Sequence, residues 1–482
     1  MEALSGLDAS FLYLETATMP MHIGSMAIIE GTITFDDFKA YIGQRLHQVE
    51  RLRQKLAFVP LGLDRPYWVQ DPDFDLDRHV FCMALPQPGG WQELRYLASQ
   101  EFSTQLSRER PLWEFIFVEG LDNIPQVPKG SVALLSKIHH AGFDGKAGVE
   151  LMTMLYNPSA VVSEAPVIVN TPIEATPSGF ELLSKSMLAL ILRPSKLPRL
   201  ILSSAQSAFK AGYLRQIKQI NLPTLPFTAP DTFLSDVVAV ERNWDCTILD
   251  LARIKALRSL VDGATLNDVV LAICAGALRR YFLDKQQLIE EPLVAMVPIS
   301  TRASDSRERM GNQVSAMFIQ LATDVGDPLK RLQKIQINTL IGKLYQDMAT
   351  ANSLMSYAEL VPFGLAAMAT RFYSQLRQAK RIPPPFNVII TNVPGPPTPF
   401  YLAGHKLLFN MGMGPIYQGV GLFIAVLSYN GTLTISPTSC AKLMPDIELF
   451  CRYIKESVDE LERVAVKKRQ ADTLLAPEHI QQ

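Results

Sequence analysis

KIHHAGFDG, the stretch from Lys137 to Gly145, is the most informative part of the chain. It continues a run from Ser131 to His140 in which apolar residues occupy alternate positions, a pattern typical of a β-strand. Glycines and an aspartate follow the two histidines, and such residues favour a tight turn. The sequence therefore predicts a strand that ends in a histidine pair, with a turn directly after it.

Four interpretations of the histidine pair remain open on the residues alone. A metal site would need both imidazoles on one ion, although adjacent strand residues point to opposite faces. A serine hydrolase would need a nucleophile elbow, and the chain has no Gly-x-Ser-x-Gly. The pair could also be two core histidines satisfied by local hydrogen bonds. In the fourth interpretation one imidazole is a general base, because its ordinary pKa of about 6.5 lets it take a hydroxyl proton at neutral pH.

The overall composition excludes several classes of protein. The formal net charge of −1 provides no general attraction to nucleic acid. The five cysteines are scattered and odd in number, which is typical of a reducing cytoplasm and not of a disulfide framework. We see neither a signal peptide nor an uncharged apolar run of about 20 residues that could cross a membrane. We therefore expect a cytoplasmic protein that does not bind nucleic acid.

The composition and the apolar pattern of the sequence change twice, so its 482 residues divide into three parts. Residues 1–165 alternate short apolar strands with amphipathic helices and carry the histidine pair. Residues 166–235 are rich in proline and are predicted to form a basic helical linker. Residues 236–482 return to a mixed α/β pattern and form the predicted C-terminal domain.

Apolar periodicity and turn residues place the individual elements. The predicted helices are Phe35–Leu56, Trp91–Leu106, Asp250–Val261, Asn267–Leu283, two stretches across Asp327–Arg381, and Pro445–Val466. Strands are predicted at Ser131–His140, Val294–Ile299 and Asn387–Asn392, with a hairpin over Gly421–Ile435 that turns at Asn430-Gly431.

KIHHAGFDG resembles the His-His-x-x-x-Asp-Gly signature of the coenzyme A-dependent acyltransferase superfamily, which includes chloramphenicol acetyltransferases and peptide-synthetase condensation domains. Other segments resemble bacterial wax ester synthase/diacylglycerol acyltransferases, and the likeness extends from about Leu4 to Val466. These segments are Leu4–Glu15, Pro20–Gly24, Pro111–Trp113, Asn267–Ala272, Val297–Ser300 with Arg302, Gly311-Asn312, and Asn392–Pro396. Thr301 departs from the apolar residue that the family often has there.

The resemblance implies an α/β fold with two chloramphenicol-acetyltransferase-like subdomains, mixed sheets and an interdomain channel. It implies an O-acyltransferase that moves a fatty acyl group from acyl-CoA to diacylglycerol, to a long-chain alcohol, or to both. No acyl-enzyme and no cofactor or metal are expected, since acyl-CoA is a co-substrate. Another acyl-transfer or condensation reaction of the superfamily, or a non-catalytic lipid-surface protein, remains an alternative.

The resemblance also implies a role for each residue of the signature. His140 is the base that deprotonates the acceptor hydroxyl, and His139 packs or orients. Asp144 is structural and pairs with a cation, for which Arg302 is our candidate. Gly145 lets backbone or substrate pass closely, because it has no side chain.

Two further motifs leave their roles open. Asn267 and Asp268 stand at a predicted helix start, where either they cap the helix or they form a polar wall for the acyl carbonyl. Pro111–Trp113 either packs in the core or contacts substrate.

The products that the resemblance implies are insoluble in water, so we expect the enzyme to act at a membrane or lipid-droplet surface. Within the linker, residues 181–218 carry seven basic residues and one acid among apolar ones. Such a segment either binds an anionic lipid interface or acts as a plain spacer. We therefore expect a cytoplasmic protein that is peripheral on the inner membrane or on lipid inclusions.

Overall fold

The computed structural model describes residues 2–143, 145–161, 177–192, 224–300, 314–346 and 382–475. Asp144, Arg302, Gly311-Asn312 and most of the predicted linker lie outside the described residues, as does the second helical stretch predicted before Arg381.

The α-helices of the described residues include a long C-terminal one. They are Gly6–Leu14 (α1), Phe35–Arg45 (α2), Trp91–Ser103 (α3), Gly145–Leu155 (α4), Gly179–Leu192 (α5), Leu251–Ala256 (α6), Leu266–Asp284 (α7), Pro328–Gln346 (α8) and Ile447–Leu475 (α9). A small antiparallel sheet beside α1 consists of Glu2–Ala3 (β1), Gln54–Ala57 (β3) and Tyr67–Gln70 (β4).

The first large sheet has six strands. They are His22–Ile29 (β2), Val80–Ala84 (β5), Trp113–Glu119 (β6), Val132–His139 (β7), Tyr401–Leu402 (β13) and His405–Met413 (β14), in the spatial order β13–β14–β2–β7–β6–β5. Only β5 and β6 run parallel. The strand β7 is buried along its whole length, because its two faces enter two different apolar clusters.

Helices cover both faces of this sheet. Phe38 of α2 and Met154 of α4 pack with Leu134 on one face. Phe102 of α3 packs with Leu135 on the other. Strand β7, which leads to the histidine pair, is therefore held between helices on both sides.

The second large sheet has seven strands and is mixed. They are Arg242–Trp244 (β8), Thr247–Asp250 (β9), Val294–Ser300 (β10), Val314–Gln320 (β11), Val388–Pro394 (β12), Phe423–Tyr429 (β15) and Thr432–Cys440 (β16), in the order β11–β10–β12–β15–β16–β8, with β9 also on β16. The strand β12 runs parallel to both of its neighbours. Helices α7, α8 and α9 bury one face of this sheet in a single large apolar cluster.

The two sheets are tied together by β14, which belongs to the second half of the chain but pairs with β2 in the first sheet. Trp244 of β8 donates its indole N–H to the carbonyl oxygen of Gly412 at 3.1 Å. Thr434 of β16 donates its hydroxyl to the carbonyl oxygen of Asn410 at 2.9 Å. The first sheet is therefore built from both halves of the chain, which the division at residues 165 and 235 did not anticipate.

Most predicted elements are present, and the fold is the mixed α/β architecture that the resemblance implied. The hairpin at Asn430-Gly431 is confirmed, and both turn residues have positive φ angles. The helix predicted over Phe35–Leu56 was wrong in length, because it ends at Arg45 and gives way to two 3₁₀ turns and strand β3. Those turns still bury Leu46 and Leu52, so apolar spacing alone could not show where the helix ends.

No helix within the described ranges combines the length and the apolar character that crossing a bilayer requires.

Candidate active site

The histidine pair lies where β7 ends and the turn to α4 begins. The backbone N–H of His139 donates to the carbonyl oxygen of Leu112 at 2.9 Å, and that of His140 donates to Met21 at 2.9 Å. The N–H of Gly142 donates back to His139 at 3.0 Å. Two neighbouring segments, one before β2 and one before β6, thus hold the turn in place.

His139 is completely buried and faces inward. Its Nδ1 accepts a hydrogen bond from the N–H of Ala141 at 3.1 Å, so in the neutral ring Nε2 carries the proton. That Nε2 lies 3.4 Å from Oε1 of Glu15. The ring therefore lies between a buried carboxylate and the backbone of the turn, and its orienting role stays a prediction.

Glu15 immediately follows α1 and was not singled out from the sequence, although it ends the family-like segment Leu4–Glu15. Its Oε2 accepts hydrogen bonds from Nε and Nη2 of Arg108 at 2.9 and 2.6 Å. Burial would raise the pKa of Glu15, but His139 and Arg108 outweigh it and lower the pKa to about 2. The carboxylate is therefore charged at neutral pH. The sequence signal that could have indicated its burial is its position directly after the apolar run Phe11–Leu14.

The imidazole of His140 lies flat against the ring of Phe11 in α1, with ring centroids 3.9 Å apart and an interplanar angle of 8°. Burial lowers the pKa of His140 to about 4, and the neighbouring His139 adds to this effect. The ring nitrogen Nδ1 is buried, although the residue as a whole is partly exposed. At neutral pH it therefore presents an uncharged imidazole in a fixed plane, the form that can accept a proton.

The side chain of Asp268 is buried and its carboxylate oxygens accept hydrogen bonds within the protein. It is 1 % exposed and forms a capping box with Thr265, whose backbone N–H and hydroxyl donate to Oδ2 at 2.8 and 2.7 Å. Its Oδ1 accepts a hydrogen bond from the hydroxyl of Thr339 in α8 at 2.6 Å. The cap alternative thus describes Asp268, and Thr265 is the N-cap residue.

Asn267 has a different surrounding. Its Oδ1 accepts a hydrogen bond from Nδ2 of Asn392 at 3.4 Å, so the start of α7 meets the end of β12. Both asparagines are partly exposed. The structure therefore brings two family-like motifs together, and the polar-wall alternative remains a prediction for Asn267.

The remaining predicted site residues divide into described and undescribed ones. Gly145 is the first residue of α4, whereas Asp144 and Arg302 lie outside the described residues, so their pairing stays a prediction. Trp113 is fully buried, donates its indole N–H to the carbonyl oxygen of Leu52 at 2.9 Å and stacks on His79, so it packs in the core. No group of three metal-ligating side chains occurs among the residues that the structure describes.

Family models match most of the chain. The model of the wax ester synthase/diacylglycerol acyltransferase catalytic domain matches residues 4–270, and that of the WS/DGAT C-terminal domain matches residues 310–462. A putative diacylglycerol O-acyltransferase of Mycobacterium tuberculosis is 32% identical over 473 residues, which cover 96% of this chain and 90% of that protein. The O-acyltransferase WSD of Acinetobacter baylyi is 30% identical, with 98% of this chain and 100% of that protein covered.

Solved structures show the same architecture. The wax ester synthase/diacylglycerol acyltransferase of Marinobacter aquaeolei superposes with a TM-score of 0.67 at 26% identity, covering 96% of this chain and 99% of that one. The starter condensation domain of rhizomide synthetase, in complex with C8-CoA, has a TM-score of 0.55 at 17% identity, with 95% of both chains covered. This second likeness concerns the fold alone.

Proposed function

The chain belongs to the wax ester synthase/diacylglycerol acyltransferase family and is an acyltransferase, and we propose that it esterifies diacylglycerol, a long-chain alcohol, or both with a fatty acyl group from acyl-CoA. The names of two relatives, a putative diacylglycerol O-acyltransferase and a wax ester synthase/diacylglycerol acyltransferase, support these acceptors. The likeness of KIHHAGFDG to the coenzyme A-dependent signature supports the donor.

The observation that carries the proposed chemistry is the placement of the His140 ring. It follows the end of β7 and lies flat on Phe11, and burial lowers its pKa, which leaves the ring uncharged at neutral pH. In the proposed reaction this imidazole takes the hydroxyl proton of the acceptor while the oxygen attacks the thioester carbonyl. The tetrahedral intermediate then expels the coenzyme A thiolate, which takes the proton back from the imidazolium. The products are an ester and free coenzyme A, with no acyl-enzyme.

The acceptor is identified by offering the two classes of acceptor in separate reactions. Purified protein receives palmitoyl-CoA with either hexadecanol or dipalmitoylglycerol, and both thiol release and ester formation are followed. We expect thiol release to match ester formation with at least one acceptor. Thiol release without ester, or none with either acceptor, would contradict the proposal.

We also propose that α5 contacts the lipid phase that holds the acceptor. Leu182 anchors this helix by packing with Val59 and Tyr67. Phe180 and Met187 remain 82% and 54% exposed, and Leu61 of the neighbouring turn is 91% exposed. Several exposed apolar side chains close together, on an enzyme whose proposed acceptor is a lipid, favour contact with a lipid surface.

The lipid contact is tested by cosedimentation with anionic vesicles. Replacing Phe180 and Met187 by serine should weaken vesicle binding and leave turnover of a short soluble alcohol unchanged. The matched control replaces Ile337 and Leu340, which are 56% and 58% exposed on α8. Equal vesicle binding by both double variants would return α5 to the role of a spacer.

A further inference from the structure

Glu15 is an ionised carboxylate whose side chain is only 1% exposed. An ionised group is placed in such a position at a large cost in desolvation, which must be offset by hydrogen bonds and opposite charge. Glu15 accepts two hydrogen bonds from the guanidinium of Arg108 and one from the N–H of Met21, and Nε2 of His139 lies 3.4 Å from Oε1 without a hydrogen bond. Two of these neighbours lead to the catalytic turn.

The first connection runs through Met21. Oε1 of Glu15 accepts a hydrogen bond from the Met21 N–H at 3.2 Å, and the carbonyl oxygen of Met21 accepts one from the N–H of His140 at 2.9 Å. The second connection runs through His139, whose Nε2 faces the same Oε1 while its Nδ1 accepts from the N–H of Ala141. The carboxylate thereby fixes the backbone on both sides of the His140 carbonyl.

Helix α1 makes a third connection, to the His140 ring. Phe11 of this helix stacks on the imidazole, and the N–H of Glu15 donates to the carbonyl oxygen of Phe11 at 3.1 Å. Arg108 also donates to the carbonyl oxygen of Leu12 at 3.1 Å. The end of α1, the carboxylate and the stacked ring are therefore one connected assembly.

We propose that Glu15 is a positioning residue for acyl transfer. Held by Arg108, its carboxylate fixes the turn that carries His140 and keeps the imidazole in the plane set by Phe11. This inference rests on the proposed role of His140. It predicts that Glu15 variants lose turnover but keep their affinity for acyl-CoA, because the carboxylate does not bind substrate in the proposed mechanism.

The chain contains a matched control. Glu114 of β6 also carries a partly buried carboxylate between two cations, Arg110 at 3.1 Å and the fully buried Lys137 at 2.9 Å. Lys137 further donates to the carbonyl oxygens of Glu101 and Thr104, which belong to α3 and the residue after it. The side-chain contacts described for Glu114 and Lys137 go to Arg110, Glu101 and Thr104 and not to the turn at His140, so the loss of this ion pair should affect stability alone.

The test compares Glu15→Gln, Glu15→Ala and Glu114→Gln by melting temperature, kcat and KM for palmitoyl-CoA. Gln keeps an oxygen that can accept from the N–H of Met21, so it should lose about 10-fold in kcat, and Ala roughly 100-fold, the size expected for a displaced catalytic group. KM should stay within about two-fold for all three. Glu114→Gln should lower the melting temperature and keep kcat.

Two outcomes overturn the inference. In one, Glu15→Gln and Glu114→Gln have equal kcat. These two variants can be compared even if Glu15→Ala does not fold. The other is a rise in KM that accounts for the whole loss of kcat/KM. Failure of the proposed function is distinguishable, because His140→Ala would then turn over like the wild type whatever Glu15 does.

Discussion

The chemistry at the scale of single residues depends on the protonation of one imidazole. His140 follows a strand, stacks on Phe11 and has a pKa lowered to about 4 by burial. A base acts only in its unprotonated form, so activity should be lost as the pH falls through this pKa and not before. An exposed histidine would lose half of its base form already at about pH 6.5.

The pH dependence of kcat/KM measures this directly, because it reports ionisations of the free enzyme. We expect kcat/KM to be flat from about pH 8 to 6 and to fall only toward about pH 4. The melting temperature must be recorded at each pH, because protonation of His140 favours the unfolded chain once the pH drops below about 6.5. An apparent pKa of 6.5 or higher, with the fold intact, would contradict the lowered value.

The sequence could predict the histidine pair but not its support. Alternating apolar residues and the following glycines predicted that a strand ends at His139 and His140. Glu15 contacts Arg108 and His139, which come from distant parts of the chain, so no local pattern indicated that contact. The pairing of Asp144 with Arg302 rests on the resemblance and stays a prediction.

At the scale of the elements, α7 shows how a residue of a family-like motif can stabilise a helix. Asp268 caps the helix through Thr265 and joins it to α8 through Thr339. Apolar periodicity predicted the helix to within one residue at each end. It could not separate the cap from a substrate contact, because both need a polar residue at the same place.

Because Asp268 caps α7, we predict that its replacement lowers the stability of the protein and not its turnover. Asp268→Ala removes a cap and a buried hydrogen bond, each of which contributes about 1 kcal/mol, so the free energy of unfolding should fall by about 2 kcal/mol. Asp268→Asn keeps side-chain oxygen and should retain kcat within about three-fold. Chemical denaturation and turnover of both variants are compared. A large loss of kcat in Asp268→Asn at unchanged stability would support the polar wall instead.

At the scale of the whole molecule, the two halves are interlocked by β14. Met411 and Met413 of this strand are buried in the core of the first sheet, beside Met26 of β2. Pairing between strands so far apart in sequence is set by tertiary packing and not by local pattern. The sequence therefore predicted two α/β units, and only the structure shows that they share a sheet.

This interlocking predicts that the N-terminal part cannot stand alone. A fragment of residues 1–165 lacks β13 and β14, which leaves β2 as an exposed edge beside uncovered apolar side chains. We expect it to aggregate or to unfold without a cooperative transition in calorimetry. A monomeric fragment that melts cooperatively would show that the first sheet does not need the second half.

The central claim is that His140 is the base of an acyl transfer without an acyl-enzyme. Its most direct test is the rate of thiol release from palmitoyl-CoA, with the preferred acceptor present, for His140→Ala and His139→Ala. We predict that His140→Ala lowers turnover by roughly 10²–10⁴-fold with a melting temperature near that of the wild type, and that His139→Ala loses less. Wild-type turnover by a folded His140→Ala, or a greater loss in His139→Ala, would contradict the claim.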